Sequence, residues 1–238
     1  MAAVVNKKQL HLCLLKNTAI WEQLAIEEAL LRTDDGNWCL INEGSTPAVV
    51  MGISGKLEEH VDSTVGIPII RRFSGGGTVV VDASTFFVTF IFQKEELDLG
   101  HCPRRVMSWT EELYRPVFDS LPLNFRLVEN DYVIGERKIG GNAQYFTKNR
   151  WLHHTTFLWD YNKEHMSLLK MPPKAPAYRQ SRHHEEFLTT LKEFFPTMTS
   201  LQEKLLTVLQ ERFLIDFLRQ NEIPQILERP HRRSVAIL

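Results

Sequence analysis

Residues 71–78 read Arg71-Arg72-Phe73-Ser74-Gly75-Gly76-Gly77-Thr78, the strongest local feature of the sequence. Three consecutive glycines can turn successive backbone N–H groups inward, so that an anion approaches the main chain closely. The two arginines before the turn can clamp phosphate or carboxylate oxygens. The stretch is not a P-loop, because no Lys-Ser or Lys-Thr follows the last glycine, and it is not a GxGxxG fingerprint. A tight turn with two solvated arginines is the alternative interpretation.

A second pair of glycines lies in the stretch at residues 130–143, which reads NDYVIGERKIGGNA. Lys138, on a short predicted strand, can present its point charge to an anion that the first glycine turn holds. An exposed strand lysine is the alternative, since most lysines are exposed. Asp131 is a weak candidate ligand for Mg²⁺, and an aspartate that caps a turn is the more common role.

Two pairs of adjacent histidines bear on metal binding. His153 and His154 precede a strand-like run, where neighbouring side chains point to opposite faces, so only one of them can face a site. His183 and His184 cannot both bind one metal ion either, whether the backbone there is extended or helical. We therefore expect no structural metal.

Composition limits the remaining classes of protein. The chain has 238 residues, 28 Lys and Arg against 29 Asp and Glu, and a net charge of -1, which argues against a nucleic-acid coat. No apolar run approaches the roughly 18 residues of a membrane span, so we expect no membrane partner. Cys13, Cys39 and Cys102 form neither a disulfide framework nor a metal pair. We expect a cytoplasmic protein, with the interior of an organelle as the alternative.

The pattern of apolar residues predicts an α+β fold, in which a mixed, largely antiparallel sheet is flanked by helices. No linker divides the chain, so residues 1–238 are expected to form one domain. The predicted elements include a helix over residues 21–32 capped by Asn17 or Thr18, a hairpin of residues 78–82 with 86–92, a helix over residues 104–119 that Pro116 kinks or ends, separate strands at 137–139 and 142–147, and an amphipathic terminal helix over residues 201–217.

Taken in order, these segments resemble a known family. Arg-Arg-x-Ser-Gly-Gly-Gly, Asn-Asp…Lys-Ile-x-Gly-x-Ala and His-His-x-Thr-x-Leu, preceded by Leu-Ala-x-Glu-Glu at residues 24–28, are similar to the lipoate–protein ligase branch of the biotin/lipoate ligase and octanoyltransferase family. Residues 178–182 resemble that family's later Val-Arg-Ser-Arg segment. The resemblance covers most of the chain and implies a class II biotin/lipoate ligase-like catalytic domain with a bifurcated ligand pocket on the sheet.

The resemblance also implies a reaction. Lipoate or octanoate and ATP give an acyl-adenylate and pyrophosphate, and Mg²⁺ neutralises the departing pyrophosphate. The acyl group then passes to a lysine of a lipoyl carrier domain, such as the E2 subunit of a 2-oxoacid dehydrogenase or the H protein of glycine cleavage. ATP, Mg²⁺ and lipoate are thus the implied cofactors and substrate.

By motif match, Lys138 is the catalytic lysine that touches the acyl carbonyl and the α-phosphate. Valines 79–81 and Phe86-Phe87 are expected to line an apolar slot for the acyl chain. The residues implied to bind substrate or ATP are Arg72, Ser74, Gly75, Gly76, Gly77, Thr78, Val79, Val80, Lys138, Asn142, Ala143 and His154.

The chain departs from the family pattern at four positions. Val81 stands where the ligases often have His, Gly140 replaces a serine, Thr155 replaces a glycine and Gln23 replaces an asparagine. We also expect the small C-terminal domain of the longer bacterial ligases to be absent. A separate accessory protein then replaces it, or the chain performs only the transfer of the acyl group from a preformed adenylate.

Two alternative functions remain open. An octanoyl- or lipoyltransferase moves the acyl group between carriers without ATP, but it needs a cysteine thiolate after the motif lysine, and the last cysteine here, Cys102, precedes Lys138. The second alternative is a degenerate, non-catalytic protein that binds a lipoyl compound or a carrier domain, which the residues at 81 and 155 motivate.

Overall fold

The computed structural model describes residues 7–62, 66–100, 102–171, 175–218 and 222–238. Its elements are β1 (Lys8–Lys16), α1 (Ile20–Thr33), β2 (Trp38–Glu43), β3 (Ala48–Met51), α2 (Leu57–His60), β4 (Ile69–Arg71), β5 (Val79–Val81), β6 (Thr85–Gln93), α3 (Pro103–Phe118), β7 (Phe125–Val128), β8 (Asp131–Ile134), β9 (Arg137–Phe146), β10 (Arg150–Leu158), α4 (Lys163–Ser167), α5 (His184–Phe187), α6 (Met198–Arg212), β11 (Phe213–Phe217), α7 (Ile223–Glu228) and β12 (Ala236–Ile237).

Two sheets organise these elements. The larger has the strand order β11-β1-β2-β6-β10-β9-β8-β7, and the smaller has the order β12-β4-β3-β5. In the larger sheet β1 pairs in parallel with β11 and with β2, and the other pairs are antiparallel. The predicted α+β fold with a mixed, largely antiparallel sheet is therefore confirmed.

The central strand β6 shows why the larger sheet is covered on both faces. Its sequence, TFFVTFIFQ, is almost continuously apolar, and every residue from Thr85 to Phe92 is buried. Because side chains alternate across a strand, Phe86, Phe90 and Phe92 pack in a core with α3 and α6, whereas Phe87 and Ile91 pack in a second core with α1 and the smaller sheet. The candidate site lies on this second face.

Two predicted elements near the site are wrong. The hairpin of residues 78–82 with 86–92 does not form, because β5 pairs with β3 in the smaller sheet and β6 pairs with β2 and β10 in the larger. The residues between β5 and β6 thus connect the two sheets. The separate strands predicted at 137–139 and 142–147 are one strand, β9, which continues through Gly140-Gly141.

Three helix predictions also change. The terminal helix ends at Arg212, and residues 213–217 form β11, the edge strand beside β1. Pro116 does not end α3, which continues to Phe118. Neither Asn17 nor Thr18 caps α1: the N-cap residue is Ala19, and the Ile20 N–H donates to the Ser45 hydroxyl at 2.9 Å.

None of the helices in the described ranges combines the length and the apolar character that crossing a membrane requires.

Candidate active site

A cavity of about 890 Å³ opens between the second face of the larger sheet and the smaller sheet. Its walls come from α1, from the glycine turn at residues 75–77 with β5, from β9 and β10, and from a segment at residues 175–188. The volume is within the range typical of small-molecule sites.

Arg72 organises the glycine turn from inside the protein. Its guanidinium donates to the Val50 carbonyl at 3.3 Å, to Gly75 O at 2.7 Å, to Gly77 O at 2.8 Å and to Ser74 Oγ at 3.1 Å. The residue is 4% exposed, and burial lowers its pKa to about 10, so it stays charged at neutral pH. Arg72 is thus not solvated: it binds the carbonyls of the turn, which leaves the outer side of the turn to face the cavity.

A chain of polar groups continues from Ser74 into the core. Ser74 Oγ lies 3.1 Å from His154 Nε2, and His154 Nδ1 lies 3.1 Å from Glu27 Oε2. Glu27 is fully buried, and its other carboxylate oxygen accepts hydrogen bonds from Gln23 at 2.8 Å and Thr89 at 2.7 Å. A buried carboxylate needs such partners, and the charge of Glu27 also stabilises the charged form of Arg72.

Sequence reasoning missed the role of Glu27, although the residue belongs to the Leu-Ala-x-Glu-Glu stretch at residues 24–28. The indication was present: Leu24, Glu27 and Leu31 follow the three-and-four spacing of one helix face, and both leucines are buried. A carboxylate on the apolar face of a helix indicates a buried partner.

Lys138 lies in the cavity, partly exposed at 23% of its side chain, with its Nζ 2.8 Å from Asp131 Oδ1. The other oxygen of Asp131 accepts a hydrogen bond from the Tyr178 hydroxyl at 2.9 Å, and burial together with Asp131 raises the pKa of Tyr178. A Cβ built on Gly141 would lie 3.3 Å from Lys138 Nζ, so the glycine leaves room for the ammonium group. Lys138 is thus a positioned charge, not a free surface lysine.

Asp131 begins β8 and binds Lys138 and Tyr178. Glu129 is a second carboxylate in the wall of the cavity. Within the described residues, no group of three or more His, Cys, Asp or Glu is arranged to hold a metal ion. A magnesium ion here would therefore depend on substrate phosphates for most of its ligands, as Mg²⁺ often does.

The adjacent histidines face opposite sides of β10, as predicted. His154 lines the cavity, whereas His153 is fully buried in the other core, with its Nε2 3.0 Å from the Tyr132 hydroxyl and its Nδ1 2.9 Å from Gln144 Nε2. Burial, with a smaller contribution from His154, lowers the pKa of His153 to about 3, so this imidazole is neutral.

The structure brings nearly all the predicted site residues to one cavity. Ser74 is the exception: it is fully buried and touches the cavity through Arg72 and His154. Of the side chains expected to form the apolar slot, Val79, Val80, Val81 and Phe87 line the cavity. Phe86 does not, because it packs in the opposite core. The predicted residues that line the cavity are Arg72, Gly75, Gly76, Gly77, Thr78, Val79, Val80, Lys138, Asn142, Ala143 and His154.

Two departures from the family pattern have local structural reasons. A Cβ on Gly140 would lie 2.8 Å from Phe157 Cδ1 and 3.0 Å from the Thr156 carbonyl, so Phe157 fills the space that a serine side chain would need. Thr155 points away from the cavity and accepts a hydrogen bond from the Tyr114 hydroxyl at 3.1 Å. Val81, in contrast, lines the cavity itself.

Among the described residues, the cysteines do not line the cavity, although Cys102 directly precedes Pro103, which does. Burial raises the pKa of Cys13 to about 12, and burial together with Cys13 raises the pKa of Cys39. Cys102 precedes the first residue of α3. None of the three is among the residues that line the cavity in the described part of the chain.

Comparison with known proteins identifies the family of the chain. The sequence model of the lipoyl protein ligase A/B catalytic domain matches residues 19–212. The chain therefore belongs to the lipoyl protein ligase A/B catalytic domain family, as the resemblance predicted.

Two curated relatives differ in what their names say about activity. The inactive lipoate–protein ligase 2 of Plasmodium falciparum is 28% identical over 236 residues, covering 73% of this chain and 61% of the relative. A lipoate-protein ligase of Bacillus subtilis is 30% identical over 186 residues, covering 76% of this chain and 55% of the relative. The chain thus spans a little over half the length of these relatives.

Solved structures share the fold. A lipoate-protein ligase A bound with ATP superposes with a TM-score of 0.72 at 19% identity, covering 94% of this chain and 95% of the other. A lipoate protein ligase of Thermoplasma acidophilum with bound lipoic acid gives 0.72 at 19% identity, covering 92% and 93%. A bipartite ligase from the same organism, described with its E2 lipoyl domain, gives 0.71 at 20% identity, covering 93% of each chain.

Proposed function

We propose that the chain is a lipoate–protein ligase that converts lipoate or octanoate and ATP into the acyl-adenylate and pyrophosphate. The observation that carries the proposal is the cavity, because it joins an apolar wall to the glycine turn and the Lys138 ammonium. The apolar wall, which would take the acyl chain, includes Leu24, Val50, Val79, Val81 and Phe87. A relative bound with ATP and another bound with lipoic acid support the choice of substrates.

In this proposal Lys138 stabilises the negative charge that gathers on the α-phosphate and the acyl carbonyl in the transition state. The N–H groups of the glycine turn add donors, since Arg72 binds the turn carbonyls Gly75 O and Gly77 O. Asp131 and Glu129 would hold Mg²⁺ together with the phosphates, and the ion would supply charge neutralisation of pyrophosphate. His154, fixed by Glu27 and Ser74, orients the groups beside the acyl carbonyl.

The acyl group then passes to the ε-amino group of a lysine on a lipoyl carrier domain. Support comes from the relative that is described with its E2 lipoyl domain. Release of pyrophosphate with lipoate, octanoate or biotin as substrate tests the first step, and lipoylation of a purified carrier domain tests the second. Lipoate- or octanoate-dependent release that biotin does not support is the expected result; no release with any of them contradicts the proposal.

Transfer without adenylate formation has a separate test. Replacing Cys13, Cys39 and Cys102 by alanine, in a variant that stays folded, should leave acyl transfer largely intact, because adenylate chemistry needs no thiolate. A covalent thioester in the unmodified protein that disappears with all activity in the variant would favour the transferase instead.

Two observations favour a second function, a non-catalytic protein that binds a lipoyl compound or a carrier domain. A relative at 28% identity is named inactive, and Lys138 is paired with Asp131 at 2.8 Å. Comparison of transfer from synthetic lipoyl-AMP with transfer from lipoate plus ATP separates the cases. We expect transfer from lipoyl-AMP to be the faster; binding of lipoyl-AMP with no transfer at all would establish the non-catalytic protein.

A further inference from the structure

The segment at residues 175–188 forms the cavity wall beside Lys138. Its backbone reaches Lys138 directly, because the Thr189 N–H donates to the Lys138 carbonyl at 3.0 Å and Leu188 pairs with Lys138 in a parallel bridge. The segment therefore positions its side chains next to the ammonium group. Its cavity-lining residues are Ala175, Pro176, Arg179, His184, Phe187 and Leu188.

A strained turn fixes this wall. Gln180 and Ser181 have φ angles of 52° and 61°, a left-handed conformation that side-chain-bearing residues seldom adopt in succession. The turn is closed by two reciprocal hydrogen bonds, from Arg179 Nε to the Arg182 carbonyl at 2.9 Å and from Arg182 Nε to the Arg179 carbonyl at 3.0 Å. The orientation of Arg179 is therefore set by the backbone around it.

Arg179 is a buried cation with few acceptors. Its side chain lies over the Phe187 ring, with 4.9 Å from Cζ to the ring centroid, and the residue is 3% exposed. Besides the Arg182 carbonyl, its partner in the described part of the chain is the thioether sulfur of Met171 at 3.3 Å, which is a weak acceptor. Within that part it forms no ion pair; the Asp131 carboxylate acts on it electrostatically without a direct contact. A buried guanidinium gains from an anion that it binds directly.

His184 adds an unsatisfied donor or acceptor to the same wall. Its Nε2 atom is buried and has no hydrogen-bond partner among the described residues. Burial and the positive charges of Arg179, Lys138 and His183 lower the pKa of His184. An anion between Arg179 and His184 would give both side chains their missing partner.

We propose that Arg179 and His184 form an anion subsite that holds the pyrophosphate group, the β- and γ-phosphates of ATP, as it leaves. The inference rests on the proposed function, which assigns the α-phosphate to Lys138. In that step a carboxylate oxygen of the substrate bonds to the α-phosphorus. The bond from that phosphorus to the bridging oxygen breaks, and its electron pair leaves with pyrophosphate. Negative charge therefore accumulates beyond the α-phosphate, and the cavity wall that carries Arg179 and His184 adjoins Lys138.

Inorganic pyrophosphate is the direct probe, because its binding requires no chemistry. Titration calorimetry with the full chain, with and without Mg²⁺, compares the unmodified protein with Arg179→Gln and His184→Gln. His183→Gln is the matched control, since His183 is the exposed neighbour and does not line the cavity. Monophosphate and acetate, titrated in parallel, distinguish a diphosphate subsite from a general affinity for anions. Thermal unfolding identifies any variant that fails to fold, and His184→Gln is the safer variant because α5 lies near the surface.

The expected result is that His184→Gln weakens pyrophosphate binding about fivefold and Arg179→Gln at least about tenfold, as the loss of charge-assisted hydrogen bonds predicts. His183→Gln should bind as the unmodified protein does. In turnover, the two variants should lose more of the ATP-dependent reaction than of transfer from lipoyl-AMP, which carries no β- or γ-phosphate.

Equal pyrophosphate affinity in the folded variants and the unmodified protein, or no affinity in any of them, overturns the subsite. Equal loss in the two half-reactions overturns it as well, because such a loss indicates a general structural role. If the unmodified protein binds pyrophosphate through Arg179 and His184 but forms no acyl-adenylate, the subsite stands and the proposed function fails.

Discussion

Two buried arginines line the same cavity, and they differ in the hydrogen-bond acceptors around their guanidinium groups. Arg72 donates to the Val50, Gly75 and Gly77 carbonyls and to the Ser74 hydroxyl, and Glu27 lies nearby as a counter-charge. Arg179 is equally buried, and Asp131 acts on it as a counter-charge. Its guanidinium nevertheless has only one carbonyl and one thioether as hydrogen-bond partners in the described ranges.

The difference separates a structural cation from one available to a ligand. A guanidinium whose donors are taken by carbonyls holds the backbone in place and has little left to offer a substrate. A guanidinium that is buried at similar cost but lacks acceptors gains most when an anion arrives. The number of acceptors around each buried arginine thus indicates whether its role is structural or ligand-binding, which the residue type alone does not.

Substitution of Lys138 should have the largest effect on catalysis, because its ammonium group lies in the cavity next to the segment at residues 175–188. We expect Lys138→Ala to slow acyl-adenylate formation by about 10³-fold, since it removes the charge that stabilises the transition state. Single-turnover formation of lipoyl-AMP measures this. Unfolding in urea should change by less than about 1 kcal/mol, because Asp131 keeps its bond to Tyr178.

Lys163→Ala is the matched control for Lys138→Ala, since it also removes a lysine from an ion pair, here with exposed Glu185, outside the cavity. Its adenylation rate should equal that of the unmodified protein. A rate for Lys138→Ala within about threefold of this control would show that the lysine is not catalytic.

Arg72→Gln should cost about 3 kcal/mol of unfolding free energy, because several backbone carbonyls and buried Glu27 lose their cationic partner at once. Chemical denaturation monitored by tryptophan fluorescence measures it. A loss below about 1 kcal/mol would break the comparison, because Arg72 would then resemble the poorly partnered Arg179.

Glu27→Gln keeps the shape of the side chain and removes its charge, so it sharpens the comparison by leaving Arg72 without its counter-charge. We expect a loss of about 2 kcal/mol in unfolding free energy, together with slower adenylation, since His154 Nδ1 loses a charged acceptor. Glu22→Gln, on the same helix and outside the cavity, is the control. Equal denaturation curves for the two variants would refute the structural role.

Arg179→Gln should have the smallest effect on stability, below about 1 kcal/mol, because it gives up one carbonyl and one sulfur contact. The same denaturation assay checks this. A loss as large as that of Arg72→Gln would mean that Arg179 is also a structural cation.

Short-range motifs explain what the sequence could predict. The glycine turn, Lys138 and His154 lie in compact stretches whose spacing is informative by itself, and the structure brings them to one cavity. Choice of strand partner was not predictable in this way. Residues 79–81 and 85–93 are close in sequence, which favours a hairpin, but packing against β3 directs the first of them to another sheet.

The predicted terminal helix is right over residues 201–212 and wrong over residues 213–217, for a geometric reason. Leu201, Leu205, Leu209, Phe213 and Phe217 recur every fourth residue, and on a helix of 3.6 residues per turn such a series drifts by about 40° at each step. The last two residues would thus have left the buried face. As a strand, residues 213–217 keep Phe213 buried and pair with β1 instead.

The pairing of β1 with β11 has a consequence for folding during synthesis on the ribosome. Its partners are among the most distant in the chain: His11 and Asp216, for example, are 205 residues apart. At a synthesis rate of about 5–20 residues per second, β1 leaves the ribosome roughly 10–40 s before β11 exists. During that interval the edge of β1 that β11 will cover has no native partner, so nascent chains are expected to depend on chaperones that shield exposed strand edges.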